Sequence, residues 1–440
     1  MKVFSIGLFW IMSIILFQFP NVKGQNIDSL VTVYKQKATH YLVKSSYVNN
    51  YFRIDRTGVS IFASPYQKQK NNPEFAVSWS DLAHFKKLIK YADRDFQFKT
   101  YKSKGRFPFN SEVTSIINIY ERNATYLPVS SNKPLTGVRI AIDPGHIAGD
   151  LKMAKAESRF IDMTVKGEKV AFFEGELTLT VALMLRDSLI KQGAEVFLSR
   201  DKGNLSAIGK TFDQWITSDL RKILKSKGLT KAQIDYKIRN TSKGRFYQKY
   251  FLDRDLDARA EKINYFKPHF TIVIHFNADS KNIGWKKPTH RNYSMTFVPG
   301  AYLKYEMSTK LERFDFVRTL LTEHMQESTR LSSYVMDEFE RKLDVPRVSR
   351  LEEPNYLKYL SKKVKEGIYA RNLRLCRLLN TPICYGESLL QDNEKELLAL
   401  SKNDFRKGII APRLINVTNA YYVGIMRYVI DRKKQMLANW

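Results

Sequence analysis

The stretch VRIAIDPGHIAGD, Val138 to Asp150, decides the fold. Its first residues favour a strand, and Asp143-Pro144-Gly145 stops that strand in a rigid turn that ends on His146. Such a turn is either surface punctuation or a device that holds a histidine at the end of a sheet. The chain that follows bears on the choice. The spacing of Leu177, Val181, Leu185 and Leu189 predicts a helix over 174–192, closed by Gly193, and 195–199 returns as a strand. A second helix is predicted over 255–266, stopped before Pro268, then an apolar strand over 270–274. A further helix is predicted over 366–379 and a short strand over 382–385. Alternation of this kind predicts an α/β fold, a mostly parallel sheet flanked by helices.

The 440 residues are enough for two domains, and 43% hydrophobic with 13% aromatic content suits a globular chain. Residues 1–24 read as a signal peptide: Lys2, an apolar run from Val3 to Phe19, and small residues at Val22 and Gly24 before a cleavage point at Gln25. No later stretch reaches the roughly 18 apolar residues of a membrane helix. The mature protein is therefore expected to be exported, to the periplasm or cell envelope, with no integral membrane segment. The formal charge is +29. A basic surface attracts polyanions, and export argues for cell-wall polymer, anionic headgroups or surface polysaccharide and against nucleic acid. The only cysteines, Cys376 and Cys384, make neither a disulfide framework nor a structural zinc site, and are read as two buried thiols.

Residues 25–135 read as a small N-terminal α+β domain of unassigned role. YFRIDRTGVSIFAS, from Tyr51, alternates around Asp55-Arg56-Thr57-Gly58 as a hairpin, and 75–79 reads as another strand. Ser80 is expected to cap a helix that buries Leu82, Phe85, Ile89 and Ala92. Aromatics at this spacing are read as core, with glycan binding by these aromatic and basic residues as the alternative. The stretch VSSNKPLTG, with Pro134 and Gly137, is the expected linker to a domain over 136–440.

In open α/β sheets, ligands bind outside the carboxyl ends of the strands. Three predicted strands end on residues that bind metal or move protons: His146, His275 and Glu387. Glu174, at a helix start, would share that edge. Two histidines and a carboxylate make a catalytic zinc set with an open position, and a second carboxylate can carry a proton to a leaving amine. The set suits metal-assisted hydrolysis of an amide.

At these residues the sequence resembles the zinc-dependent N-acetylmuramoyl-L-alanine amidases, enzymes that release stem peptide from peptidoglycan. IAIDPGH is similar to the family's first strand and zinc histidine. EGELTLTVALMLRDSLIKQGAEVFLSR resembles its second block, and LDARAEKINYFKPHFTIVIHFNAD, with Arg259 and Asn264, its third. TPICYGESLLQDNEKE is similar to the block with the catalytic glutamate, and AYYVGIMRYV to the last helix. The resemblance implies a single α/β domain with about six strands. It implies zinc (Zn2+) on His146, Glu174 and His275, Glu387 as general acid/base, and peptidoglycan as substrate. Glu176 competes with Glu174 for its place. The chain departs from the pattern at Ile147-Ala148, where glycines are usual, and at Gly386 before Glu387.

Two segments, at about 201–252 and 281–329, read as charged helical insertions. They are expected to act as a lid or plug answering to a protein activator, or as decoration. SSYVMDEFERKL after the second is similar to the family's own helix. Two other functions fit the same residues: a non-catalytic peptidoglycan-binding scaffold, and a zinc peptidase acting on another cell-wall amide.

Overall fold

Alternating apolar residues along a strand bury both faces of a parallel sheet only if helices cover each face. The computed structural model, which describes residues 26–92, 94–103, 132–351 and 353–438, has this arrangement. The signal peptide expected over 1–24 and the start of the linker lie outside the described residues. No helix among the described residues is long and apolar enough to cross a membrane.

In chain order, helix α1 is Ile27–Lys37, and strands β1 (Phe52–Asp55), β2 (Gly58–Ile61) and β3 (Phe75–Ser78) form an antiparallel sheet. Helices α2 (Leu82–Tyr91) and α3 (Arg94–Ser103) follow. The capping oxygen is that of Ser78, not Ser80: it accepts from the Asp81 N–H and opens a short 3₁₀ turn before α2. Then come β4 (Arg139–Pro144), α4 (Leu151–Glu157), the hairpin β5 (Phe160–Val165) and β6 (Glu168–Phe173), α5 (Glu174–Lys191) and β7 (Glu195–Leu198). Residues 212–251 are a run of short helices that leads into α6 (Leu252–Phe266) and β8 (Phe270–Asn277). The chain ends with β9 (Met295–Val298), α7 (Lys310–Leu321), α8 (His324–Leu343), β10 (Lys362–Lys365), β11 (Ile368–Ala370), β12 (Ile383–Leu390) and α9 (Pro412–Ala438).

The main sheet has seven strands in the order β10-β11-β9-β12-β8-β4-β7. Pairings β11–β9, β12–β8, β8–β4 and β4–β7 are parallel, and only β10–β11 and β12–β9 are antiparallel. Ile140, Ile142, Ile272 and Ile274 pack against Leu177, Val181 and Leu185 of α5, with Leu331, Val335 and Phe339 of α8 and Tyr421 and Ile425 of α9 in the same core. The alternate residues Ala141 and Val273 face the other side, with Ala260 and Ile263 of α6.

Two expectations fail. Instead of a helix over 366–379, Ile368–Ala370 is a strand, and only Arg374–Leu378 is helical. Gly367, at φ 73, turns a β10–β11 hairpin, and β11 gains a parallel partner in β9, so pairing overrides the helical spacing. Within 281–329, expected as helical, Met295–Val298 is a sheet strand between β11 and β12. This also lifts the strand number from about six to seven. Cys376 and Cys384 are buried and unbridged.

The N-terminal elements share their core with α7. Phe52, Phe75, Phe85 and Tyr101 belong to one cluster with Tyr302, Phe314, Phe316 and Leu320. The rings of Phe52 and Phe316 lie 4.9 Å apart, and those of Tyr101 and Phe314 5.3 Å apart. Arg313 pairs with Glu74 at 2.7 Å in the same interior. Truncating the fully buried Phe316 to alanine is expected to cost about 3–5 kcal/mol. Because that core joins 26–103 to α7, denaturant unfolding followed by circular dichroism should keep a single transition at a lower midpoint. An early, separate transition would show that 26–103 folds by itself.

Candidate active site

The turn after β4 carries a backbone that resists most side chains. His146 has φ 59, the left-handed region, where non-glycine residues are uncommon. The turn is held by two buried arginines. Arg200, just after β7, donates Nε to the Pro144 carbonyl (3.2 Å) and Nη2 to that of Gly145 (2.9 Å). Arg259, on α6, donates Nη1 to Pro144 O (2.8 Å) and Nη2 to His146 O (2.9 Å). Asp143 completes the lock: it pairs with Arg259 at 3.3 Å and accepts from the Ser199 hydroxyl. Asp143 thus braces the turn.

Three of the four residues singled out in the sequence converge here. His146 Nε2 lies 3.1 Å from Glu174 Oε2, and His275 Nδ1 lies 2.9 Å from Glu174 Oε1. One ligand atom from each of the three falls within 4.8 Å of the others, a spacing that could hold a metal ion. Gly145 is required by this approach: a Cβ on it would sit 2.3 Å from the His275 ring. Burial disfavours charge on Glu174, but the imidazoles of His146 and His275 outweigh it and hold its carboxyl well below the usual range. Burial also opposes protonation of His146, yet Glu174 and Glu157 raise its pKa to about 9. Glu176 points elsewhere, accepting from Asn403 Nδ2 and the Phe405 N–H, both at 3.1 Å.

Glu387, on β12, lies beside His275 in the parallel register of β12 and β8. Burial, reinforced by the charge of Glu174, pushes its pKa up to about 8. Its Oε2 is buried and makes no hydrogen bond among the described residues. Gly386 has a packing cause: the Tyr421 hydroxyl of α9 donates to its carbonyl at 3.1 Å, and a Cβ there would meet that oxygen at 2.2 Å. The ring of Tyr385 stacks on that of His275, with centroids 4.7 Å apart.

One buried carboxylate of this region escaped the sequence reading. Glu157, at the end of α4, accepts from the Ile147 N–H (2.9 Å) and the Ala148 N–H (3.1 Å), one oxygen to each. Its Oε1 also lies 3.8 Å from His146 Nδ1 and accepts from the Tyr247 hydroxyl at 2.9 Å. Tyr247 lies in the 201–252 segment. That segment buries Phe212, Trp215, Leu220 and Phe251 in one cluster with Ile147 and Ala148. Ile147 and Ala148 therefore share one core with the 201–252 segment. No local signal marks Glu157, because α4 is short and its neighbours are ordinary helix formers.

The sequence profile of the N-acetylmuramoyl-L-alanine amidases matches residues 140–412. No curated protein matches the chain in sequence. Similar solved structures include the CwlD amidase of Clostridioides difficile, determined in complex with the GerS lipoprotein. It is 18% identical, with a TM-score of 0.38 over 67% of this chain and 98% of that one. They also include the amidase Ami1 of Mycobacterium smegmatis, 15% identical, with a TM-score of 0.36 over 68% of this chain and 99% of that one. The catalytic domain of CwlV from Bacillus (Paenibacillus) polymyxa is 14% identical, with a TM-score of 0.34 over 67% of this chain and 98% of that one. The profile spans β4 to the start of α9 and more than half of the chain, and by that match this protein belongs to the N-acetylmuramoyl-L-alanine amidase family.

Proposed function

We propose that the protein is a zinc-dependent enzyme of the cell envelope that hydrolyses the amide between the lactyl group of N-acetylmuramic acid and L-alanine in peptidoglycan. His146, Glu174 and His275 would hold the metal. Two imidazoles and one carboxylate suit zinc and leave a position open for substrate or water. Zinc bound there supplies Lewis acidity to the scissile carbonyl and the attacking water. The observation that carries the reading is the Oε2 of Glu387, buried beside this cluster without a hydrogen bond. A buried acceptor of that kind is costly unless a ligand uses it. Glu387 would take the proton of the attacking water and give it to the departing alanine nitrogen. Its raised pKa, about 8, suits a group that must hold and release a proton near neutrality.

Glu157 would act on the metal at one remove. By holding the two N–H groups after His146, it fixes a strained turn, as outer-shell carboxylates of metal sites do. A protein activator acting through the inserted helices would reach the site along Tyr247 and Glu157. Residues 1–24 would direct export, and 25–135 would be an N-terminal unit docked on the catalytic domain through α7.

Digestion of purified peptidoglycan tests the activity. Intact stem peptides without muramic acid are expected with zinc and absent after chelation, and disaccharides that still carry peptide would refute it. Glu387→Gln should retain zinc while losing about 10²–10⁴-fold in kcat; full turnover by that variant would remove the proton-transfer role. For Glu157→Gln the expectation is a zinc affinity lower by about 10–100-fold, measured by competition with a chromogenic chelator. An unchanged affinity would leave Glu157 as packing alone.

A further inference from the structure

Among the described residues, several buried or half-buried arginines have carboxylate partners, such as Arg313 with Glu74, Arg413 with Glu396 and Arg347 with Asp337. Two at the edge of the candidate site are held differently: Arg159 reaches towards Glu174, and Arg371 lies over Phe297, whose ring is 6.0 Å from that of Tyr385, the residue stacked on His275. Arg159, at the base of the β5–β6 hairpin, has its guanidinium 5.4 Å from the ring of Trp285. Its Nη1 donates to the Ser158 carbonyl, and its Nε stands 3.9 Å from Glu174 Oε2, beyond hydrogen-bond reach. Arg371, just after β11, has its guanidinium 5.2 Å from the rings of both Phe297 and Tyr356. Among the described residues it makes no ion pair and no side-chain hydrogen bond. Both guanidiniums act on Glu387, favouring its charged form.

The aromatic that orients Arg159 is itself held at a cost. Trp285 has φ 51 and follows Gly284 at φ 72. The loop that carries it is tied down by a buried polar network. Asp392 accepts from the Asp279 N–H at 3.0 Å and from Asn282 Nδ2 at 2.7 Å, and Asp279 accepts from Thr289 Oγ1 and Arg291 Nη1. Backbone strain supported in this way clusters at binding sites. A guanidinium held over an aromatic ring keeps N–H donors for a planar anion: those of Arg371, and those of Arg159 other than the one given to Ser158.

We propose that Arg159 and Arg371 form a carboxylate subsite that recognises a free acid group on the peptide side of the scissile amide. The inference rests on the amidase reading above. The cleaved bond ends at L-alanine, so the first carboxyl available beyond it is the α-carboxylate of the γ-linked glutamate that follows. A stem peptide with that group free is the ligand; its amidated counterpart has the same shape without the charge.

The test is a matched pair, N-acetylmuramoyl-L-alanyl-D-isoglutamate and N-acetylmuramoyl-L-alanyl-D-isoglutamine, on the zinc-loaded protein. The acid is expected to have a kcat/KM about tenfold higher than the amide, carried by KM, as a charge-assisted contact warrants. In Arg159→Ala and in Arg371→Ala the ratio should fall towards one, and Arg371→Lys should restore part of it. Equal use of both compounds by the unmodified protein, or variants that slow both alike, would overturn the subsite. Calorimetric binding of the same pair to Glu387→Gln protein separates the two readings. Preference for the acid in this binding, with no cleavage of either compound by the unmodified zinc-loaded protein, would fault the amidase and support the subsite, while equal binding would reject the subsite whatever the turnover.

Discussion

The candidate site hangs on three carbonyl oxygens. A turn that ends a central strand and runs into a left-handed residue leaves its carbonyls without ladder partners, and in a buried place they must find others. Those of Pro144, Gly145 and His146 find Arg200 and Arg259, with Thr178 Oγ1 also donating to Gly145 at 2.6 Å. Arg259 is 2% exposed and is balanced by Asp143 and by Asp255 one turn earlier on α6. A buried charge with one partner removed is strongly destabilising. The same guanidinium therefore fixes α6 against the sheet and His146 against its neighbours. Arg200 adds the carbonyl of Gly175 at 2.8 Å, which ties the first turn of α5, and so Glu174, to the same anchor.

This coupling gives the 201–252 segment a role in packing. A turn built from glycines could bend without help. Ile147 and Ala148 cannot, and both are fully buried. Their side chains take hydrophobic support from Trp215 and Phe251, and their N–H groups take Glu157, itself held by Tyr247. Residues 281–329 supply Phe314 and Phe316 of α7 to the N-terminal core in the same way. In both cases the segment is buried against what it adjoins.

The parts of the fold legible in the sequence were those with a strong local period and a sharp stop. Leu177 to Leu189 marks α5, and the apolar run from Phe270 marks β8, because burial on both sides of a sheet leaves an unbroken signal. The 366–379 segment was misread because Ile368–Ala370 takes its conformation from β9, distant in sequence, and β9 itself is only four residues long. Within the site, His146 was legible as a residue that follows a strand end and Glu174 through the block that it opens, while His275 and Glu387, expected at strand ends, lie within β8 and β12, which run on to Asn277 and Leu390. Glu157, Arg159 and Arg371 were not. Each matters for what stands across from it, an N–H pair or an aromatic face, and neither relation leaves a spacing in the chain.

A strongly basic chain places three carboxyls at its candidate site. A protein of formal charge +29 gathers Glu157, Glu174 and Glu387 around two histidines, in surroundings where burial raises the cost of every uncompensated charge. Glu174 stays ionised because the two imidazoles outweigh that cost. Glu387 lacks so close a partner and is pushed up instead. A cation at the cluster would favour the charged form of Glu387 as the imidazoles favour that of Glu174. The strain at His146 follows the same logic. A glycine there would remove the left-handed penalty but also the imidazole, so the turn keeps the costly residue and surrounds it with Arg259 on its carbonyl and Glu157 on the N–H groups that follow.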